Sequence, residues 1–268
     1  MVSEQKQPLN FFDNKKEINK KLSGKNVFIF LDYDGTLTPI VDTPDQAVLS
    51  EEMRSIVRRL AEAYTVSVVS GRATDDVRQK VGIDGIFYAG SHGFEIVTPD
   101  GQMKINDEAR SIRPQVDRLH AKLTEKLKDV AGSLVEHVKY TISVHYRLVS
   151  EKDFSRIEKA VDEALQQNPD FRKTHGKKVF EIRPRIDWHK GKAVEWILKT
   201  LDFHPQEHVV IYIGDDTTDE DAFRAISGKG FGILVAAIPR RSFAEYMIKD
   251  TGEVKKVLED LIKMRQQS

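Results

Sequence analysis

The sequence contains no cysteine, which excludes a disulfide scaffold, thiolate catalysis and a Cys-ligated metal. It also lacks an excess of either charge. Its 42 basic residues balance 42 acidic ones, so nothing marks it as a binder of nucleic acid or of an anionic membrane. A small anionic substrate needs only a local cluster and stays open. No run approaches the roughly 18 apolar residues of a membrane span. The first residues, MVSEQKQPLNFFDNKKEINKK, are polar and hold no apolar stretch of signal-peptide length. These absences lead to the expectation of a cytoplasmic protein with no membrane partner, and a monomer is expected. There is no internal repeat and no low-complexity segment.

With 40% hydrophobic residues over 268 positions, the chain can bury one large core with a smaller inserted domain. Val27-Phe28-Ile29-Phe30-Leu31 is short, continuous and apolar, which predicts a buried parallel strand running straight into Asp32. A helix is predicted at 51–63 behind Ser50, because Met53, Ile56, Val57 and Leu60 recur at helical spacing. Further strands are predicted at 66–69, 86–89, 209–213 and 231–235. Helices at 74–81, 190–201 and 252–264 complete an alternating pattern. Thr218 is the expected cap of a helix beginning at Asp219. The stretch 105–185 breaks this alternation. A helix at 107–129, strands near 133–138 and 141–147, a helix near 152–166 and a hairpin turning at His175-Gly176 form an αββαββ unit. The expected fold is therefore α/β: a doubly wound parallel sheet at 26–105 and 186–268, with an inserted α+β domain at 106–185. Residues 1–25 are an N-terminal extension without a motif, and the lysine-rich 15–25 reads as a solvated face or frayed terminus.

Four polar clusters sit where a predicted strand ends or a helix starts: Asp32-Tyr33-Asp34-Gly35-Thr36, Ser70-Gly71-Arg72, Lys190, and Gly214-Asp215-Asp216-Thr217-Thr218-Asp219. Open α/β sheets collect ligands at the carboxyl ends of their strands, so the fold would gather these clusters into one site. In the first, one carboxylate can attack phosphorus while the other shuttles a proton. Close carboxylates repel unless a cation joins them, and the hard oxygens of Asp215 and Asp219 suit Mg²⁺. Lys190 and the hydroxyls of Thr36 and Ser70 can hold phosphate oxygens.

The string DYDGTLT at 32–38 resembles the first motif of the haloacid dehalogenase-like superfamily. Ser70, Lys190 and the GDDTTD cluster resemble its other motifs, in order. The strings LDYDGTLTPI, SGR, GSHG, FEIRP, HKGKA and GDDTTDEDAF together resemble trehalose-6-phosphate phosphatases, from about residue 26 onward. The resemblance implies hydrolysis of trehalose 6-phosphate to trehalose and phosphate, the last step of trehalose biosynthesis, with Mg²⁺ as cofactor and a synthase as a candidate partner. It implies that Asp32 is the nucleophile and a metal ligand, and that an aspartyl-phosphate forms on it. Asp34 is then the general acid/base and offers its backbone carbonyl to the metal. Asp215 is the third protein ligand, and Asp216 and Asp219 act through water or from behind the ligands. Thr36, Ser70, Gly71 and Lys190 face the phosphoryl group, Arg72 and His92 the sugar end. The insert resembles the family's cap, where Arg147, Lys178 and Glu181 read sugar hydroxyls. Strand alternation would put Lys178 and Glu181 on opposite sides unless the hairpin bulges or twists.

Taken singly, each motif has a plainer reading. Asp-x-Asp-Gly is commonly a turn, Ser-Gly-Arg a strand-to-helix turn, and Lys190 a surface lysine. Trp188 and Trp196 pack the start of a core helix, with Trp188 close enough to Lys190 to border the site, and the five histidines at 120, 137, 175, 204 and 208 show no metal-ligand spacing. The order of the clusters outweighs these readings. Two rival functions remain: the same chemistry on another sugar phosphate, such as sucrose 6-phosphate or mannosyl-3-phosphoglycerate, and a non-catalytic binding module. The retained Asp32, Asp34, Lys190 and Asp215 argue against the second.

Overall fold

A computed structural model describes residues 4–266. The chain divides into two compact units. One runs to Ser70, resumes over Thr74–Lys104 and returns at Trp188; the other is Ile105–Asp187 with Gly71–Ala73.

The first unit opens with strand β1 (Leu9–Asn10) and helix α1 (Lys15–Leu22). Strand β2 (Asn26–Leu31), helix α2 (Glu51–Ala63), strand β3 (Thr65–Val69), helix α3 (Thr74–Val81), and strands β4 (Phe87–Gly90), β5 (Glu95–Val97) and β6 (Met103–Ile105) follow. The second unit is helix α4 (Asp107–Leu127), strands β7 (Leu134–Val138) and β8 (Thr141–His145), helix α5 (Glu151–Gln166), and strands β9 (Phe171–Gly176) and β10 (Val179–Pro184). The chain then re-enters the first unit through helix α6 (Lys190–Thr200), strand β11 (His208–Gly214), helix α7 (Glu220–Ala225), strands β12 (Gly230–Val235) and β13 (Tyr246–Ile248), and helix α8 (Thr251–Gln266).

The first unit's sheet has the order β1-β13-β12-β11-β2-β3-β4-β5-β6. Pairing is parallel from β1 across to β4, and β5 joins antiparallel. Alternate residues of each central strand serve opposite faces. Val27, Ile29 and Leu31 pack with α2 and α8, while Phe28 and Phe30 pack with α6 and α7. Both faces are thus covered, which is why these strands read as continuous apolar runs. This is the expected α/β doubly wound sheet. The second unit has the expected αββαββ order, with the antiparallel sheet β7-β8-β10-β9. Ile142, Val144, Phe180 and Ile182 of that sheet share a core with Val116, Leu119 and Leu123 of α4 and Ile157 and Val161 of α5. Among the described residues, no helix is long and apolar enough to cross a membrane.

Three expectations need correction. The stretch 15–25 is not a frayed terminus: α1 keeps a solvated face at Lys16 and Lys20 but buries Ile18 and Leu22, one helical turn apart, in the same cluster as the buried Phe11. Phe11 meets Tyr246 edge-on at 6.3 Å, tying the segment to β13. The hairpin turns at Lys177-Lys178 rather than at His175-Gly176, with Lys178 in the left-handed region at φ 66°. Thr218 does not cap a helix: Thr217–Asp219 is one 3₁₀ turn, closed by the Asp216 amide donating to the Asp219 carboxylate at 2.9 Å. A carboxylate accepts that backbone donor better than a threonine hydroxyl two positions along, which competes for its own local contacts.

If the N-terminal segment is an integral part of the core, Phe11→Ala should cost roughly 3–5 kcal/mol, as buried Phe truncations do. Urea unfolding of the variant measures this; an unchanged midpoint would show the segment to be merely appended.

Candidate active site

Neighbouring parallel strands end side by side. The register pairs Leu31 of β2 with Ile213 of β11. The next residue on β2, Asp32, stays pinned to that neighbour through its amide, 2.9 Å from the Ile213 carbonyl. Two residues past Ile213 stands Asp215. The topology alone therefore delivers two carboxylates to one end of the sheet. Both are nearly inaccessible, at 4% and 5% exposure.

The loop after Asp32 is folded on itself. The Leu37 and Thr38 amides donate to the Tyr33 carbonyl at 2.9 and 3.0 Å, and the Gly35 amide donates to the Thr38 carbonyl at 2.7 Å. Tyr33, wholly buried, donates its hydroxyl to the Ala47 carbonyl at 3.0 Å and fastens the loop to the core. Asp34 and Thr36 ride on this loop, Asp34 half-buried and Thr36 fully buried. The Thr36 hydroxyl has no protein partner. Gly35 is required twice over. Its φ is 83°, and a Cβ there would lie 2.0 Å from Oδ2 of Asp215. The glycine is the seat on which the second carboxylate rests.

Lys190, the first residue of α6, supplies the positive charge. Its Nζ donates to Oδ1 of Asp32 and to Oδ1 of Asp219, each at 2.7 Å. One carboxylate oxygen from each of Asp32, Asp215 and Asp219 lies within 4.8 Å of the others. Burial pushes the Asp32 carboxyl well above its ordinary value; Lys190 opposes that push, and Asp219 and Asp215 add to it. Burial works against the Lys190 ammonium too, but Asp219 and Asp32 outweigh it and hold its proton on.

Asp219 is close enough to Asp32 and Asp215 to share a cation with them, but both of its oxygens are already engaged. Oδ1 accepts from Lys190 and from the Tyr212 hydroxyl at 2.7 Å, and Oδ2 accepts from the Asp215 and Asp216 amides at 3.0 and 2.9 Å. With four donors on two oxygens, this carboxylate is a fastening. It fits the reading in which Asp219 acts from behind the ligands. Asp216, partly exposed, contributes its amide to that fastening.

The remaining core residues gather around the next two strand ends. Ser70 follows β3 and is fully buried; its amide donates to the Ala89 carbonyl, and its carbonyl accepts from the His92 amide, at 2.8 and 2.9 Å. Ser91, His92 and Gly93 all have left-handed backbones, at φ 50°, 57° and 92°. Trp188 Nε1 donates to the Gly93 carbonyl at 2.8 Å. The loop of the GSHG string is thereby joined to Ser70 on one side and to the approach to Lys190 on the other. Gly71 and Arg72 follow Ser70 in sequence, both partly buried.

Within the second unit, Arg147 and Lys178 come together. Arg147 lies beyond the end of β8, not within it, and its Nη2 donates to the Lys177 carbonyl at 2.7 Å. The Tyr146 amide donates to the Lys178 carbonyl at 3.1 Å. Because Lys178 sits in the turn, strand alternation does not set its direction relative to Glu181. Glu181 lies on the face of β10 away from the helices, opposite Ser143. There Arg183, a residue the sequence reading passed over, donates Nε to its carboxylate at 2.8 Å.

Two other residues were missed. Tyr212 lay inside an apolar run, where the only signal is that a buried phenol needs a partner. Glu220, next to Asp219, accepts from Arg240 Nη1 at 2.6 Å, Ser242 Oγ at 3.0 Å and the Phe243 amide at 2.8 Å. It ties the segment after β12 to the acidic loop.

A model of the trehalose-phosphatase family matches residues 30–251. The chain belongs to this family. It is 43% identical over 264 residues to a probable trehalose-phosphate phosphatase of Arabidopsis thaliana, covering 94% of this chain and 72% of that relative. It is 44% identical over 253 residues to a trehalose 6-phosphate phosphatase of Zea mays, covering 89% and 70%. The C-terminal domain of the C. albicans trehalose-6-phosphate phosphatase superposes with a TM-score of 0.77 at 23% identity, over 97% of this chain and 99% of that one. At that identity the likeness speaks for the fold, and the fold is shared.

Gly35→Ala should leave the protein folded, at a cost of about 1–2 kcal/mol for the left-handed backbone. It should still displace Asp215 and lower phosphate release roughly 100-fold, the scale of a 1 Å misplacement at a reacting centre. Circular dichroism beside a phosphate-release assay reads both. Full activity would mean that the Asp215 position does not matter.

Proposed function

We propose that this protein hydrolyses trehalose 6-phosphate to trehalose and phosphate, as the last step of trehalose biosynthesis. One observation carries the chemistry: a buried lysine bridges the carboxylate at the end of the first core strand and a second, fully fastened carboxylate. Membership of the family and the names of the relatives support the substrate.

Asp32 attacks phosphorus in line, opposite the ester oxygen, and forms an aspartyl-phosphate. Asp34 gives its proton to the departing sugar oxygen. Asp34 then takes a proton from water as that water attacks phosphorus, which frees phosphate and restores the Asp32 carboxylate. Lys190, Ser70 and Thr36 hold the phosphoryl oxygens; the unpartnered, buried Thr36 hydroxyl suits that task.

The donor set fits Mg²⁺. Buried carboxylate oxygens of Asp32, Asp215 and Asp219 lie within 4.8 Å of one another, with the Lys190 ammonium on two of the three. A divalent cation would join such a cluster, and the oxygens of Asp32 and Asp215 with the Asp34 carbonyl are the hard donors it would take. When bound, it supplies positive charge against the phosphoryl oxygens and keeps Asp32 ionised, opposing the effect of burial.

Sugar selection is assigned to Arg72, His92, Arg147, Lys178 and Glu181. Charged and forked donors recognise hydroxyls, and a site built for them rejects analogues that leave its groups unpaired. A trehalose-6-phosphate synthase, which makes the substrate, is the proposed partner.

Asp32→Asn should fold normally and lose turnover by roughly three orders of magnitude or more, since an amide does not attack phosphorus. Wild-type-like phosphate release would sink the assignment. Mg²⁺ should support activity, EDTA should remove it, and Ca²⁺ should not replace it, because Ca²⁺ takes more ligands and draws in the attacking oxygen. Equal turnover with Ca²⁺ would disprove the coordination argument. Arg147→Ala and Glu181→Ala should each lower kcat/KM for trehalose 6-phosphate roughly tenfold, with far less effect on a small aryl phosphate. Equal losses on both substrates would remove these residues from the sugar site. A panel with sucrose 6-phosphate and mannosyl-3-phosphoglycerate tests the substrate itself.

A further inference from the structure

A row of hydrogen bonds runs behind the nucleophile. The Tyr212 hydroxyl donates to Oδ1 of Asp219, the same oxygen that receives Lys190, and Lys190 in turn reaches Oδ1 of Asp32. Tyr212 and Asp219 have no exposed surface, and Lys190 only 3%. The reaction set out above uses Asp32 and Lys190 but has no task for the phenol. Nor does packing need its oxygen. The ring is stacked on Phe30 at 6.5 Å and meets Phe223 edge-on at 5.5 Å, contacts that a phenylalanine would keep.

We propose that Tyr212 is a positioning residue for this reaction: by donating to Asp219 it sets the place of the Lys190 ammonium between Asp219 and Asp32. This inference deepens the phosphatase reading and rests on it. Lys190 is shared by two carboxylates at equal distances of 2.7 Å. The phenol draws part of the electron density of Asp219 Oδ1 to itself. Without that donor, the whole demand of Oδ1 falls on Lys190, and the ammonium moves toward Asp219, away from Asp32 and the phosphoryl group it must neutralise. The other oxygen, Oδ2, keeps its two backbone donors, so the acidic loop and Asp215 stay where they are. Removing the phenol should therefore weaken the help given to the transferring group while leaving cation binding alone.

The test is Tyr212→Phe, assayed on trehalose 6-phosphate and on p-nitrophenyl phosphate, with Mg²⁺ titrated by calorimetry. On both esters kcat should fall roughly 10- to 150-fold, the scale of one hydrogen bond to a charged group. KM and the Mg²⁺ affinity should stay within about twofold, because a group acting only in the transition state leaves ground-state binding unchanged. In an Asp219→Asn background the same change should cost little more, since the two residues act through one contact. Phe223→Leu, which disturbs the packing of the ring but not its hydroxyl, should lower stability and spare kcat. A Tyr212→Phe enzyme with unchanged kcat, additive losses in the double variant, or an equal kcat loss in Phe223→Leu would each overturn the assignment. A wild-type protein that released no phosphate from either ester would instead overturn the phosphatase reading and this inference with it.

Discussion

The structure turns on one ion pair: Lys190, buried, shared between Asp32 and Asp219. Carboxylates out of water are costly, and removing the partner of a buried charge is more costly still. The fold surrounds this pair with compensation. The acidic loop turns so that two of its amides face Asp219, and a phenol from the adjoining strand takes the same carboxylate. Glu220 repeats the device one residue later, engaging a side-chain cation, a hydroxyl and an amide from the segment after β12. Asp219 and Glu220 thus each meet protein donors on both of their oxygens, and they hold in place the loop that carries Asp215.

Much of this was legible from residue order. Strands such as 27–31 and 209–213 announce themselves because burial on both faces demands an unbroken apolar run, and the chemistry follows where the run stops. The helix at 51–63 was legible from its apolar spacing and from Ser50, whose Oγ accepts from the Met53 amide at 3.2 Å. What was not legible depends on distant partners. Strand β1 has two residues and exists only because β13 offers it a ladder. Helix α1 shows just Ile18 and Leu22 to the core, too few for a periodic signal among four lysines. The hairpin turn went to Lys177-Lys178, where no residue type advertises a left-handed backbone, although a glycine stood two positions before. Saturation of Asp219 was hidden for a related reason. A GDDTTD string shows five hydroxyl- or carboxylate-bearing residues but not which of them the loop closes upon.

The Ser91–Gly93 loop shows how such strain is held. Two non-glycine residues in the left-handed region cost of order 1–3 kcal/mol each and persist only when their surroundings over-determine them. Here the surroundings are themselves parts of the site: the Ser70 carbonyl fixes His92, and the indole of Trp188 fixes Gly93. Trp188 was expected to pack a helix start, close enough to Lys190 to border the site. Its ring nitrogen does a second job, linking the loop that holds His92 to the helix that starts with Lys190.

The two residues of β1 have an effect that reaches beyond the single molecule. They lie parallel to β13, with the Leu9 and Phe11 amides taken by the Glu245 and Met247 carbonyls at 3.0 and 3.1 Å. A chain shortened past Phe11 would leave Tyr246–Ile248 as the rim of a wide, apolar sheet with its hydrogen-bonding groups unclaimed. Such a rim is a template for strands of other molecules. Covering that rim is thus work done by Leu9–Phe11, at an edge of the sheet with β13 and β12 between it and the central strands whose ends carry the chemistry.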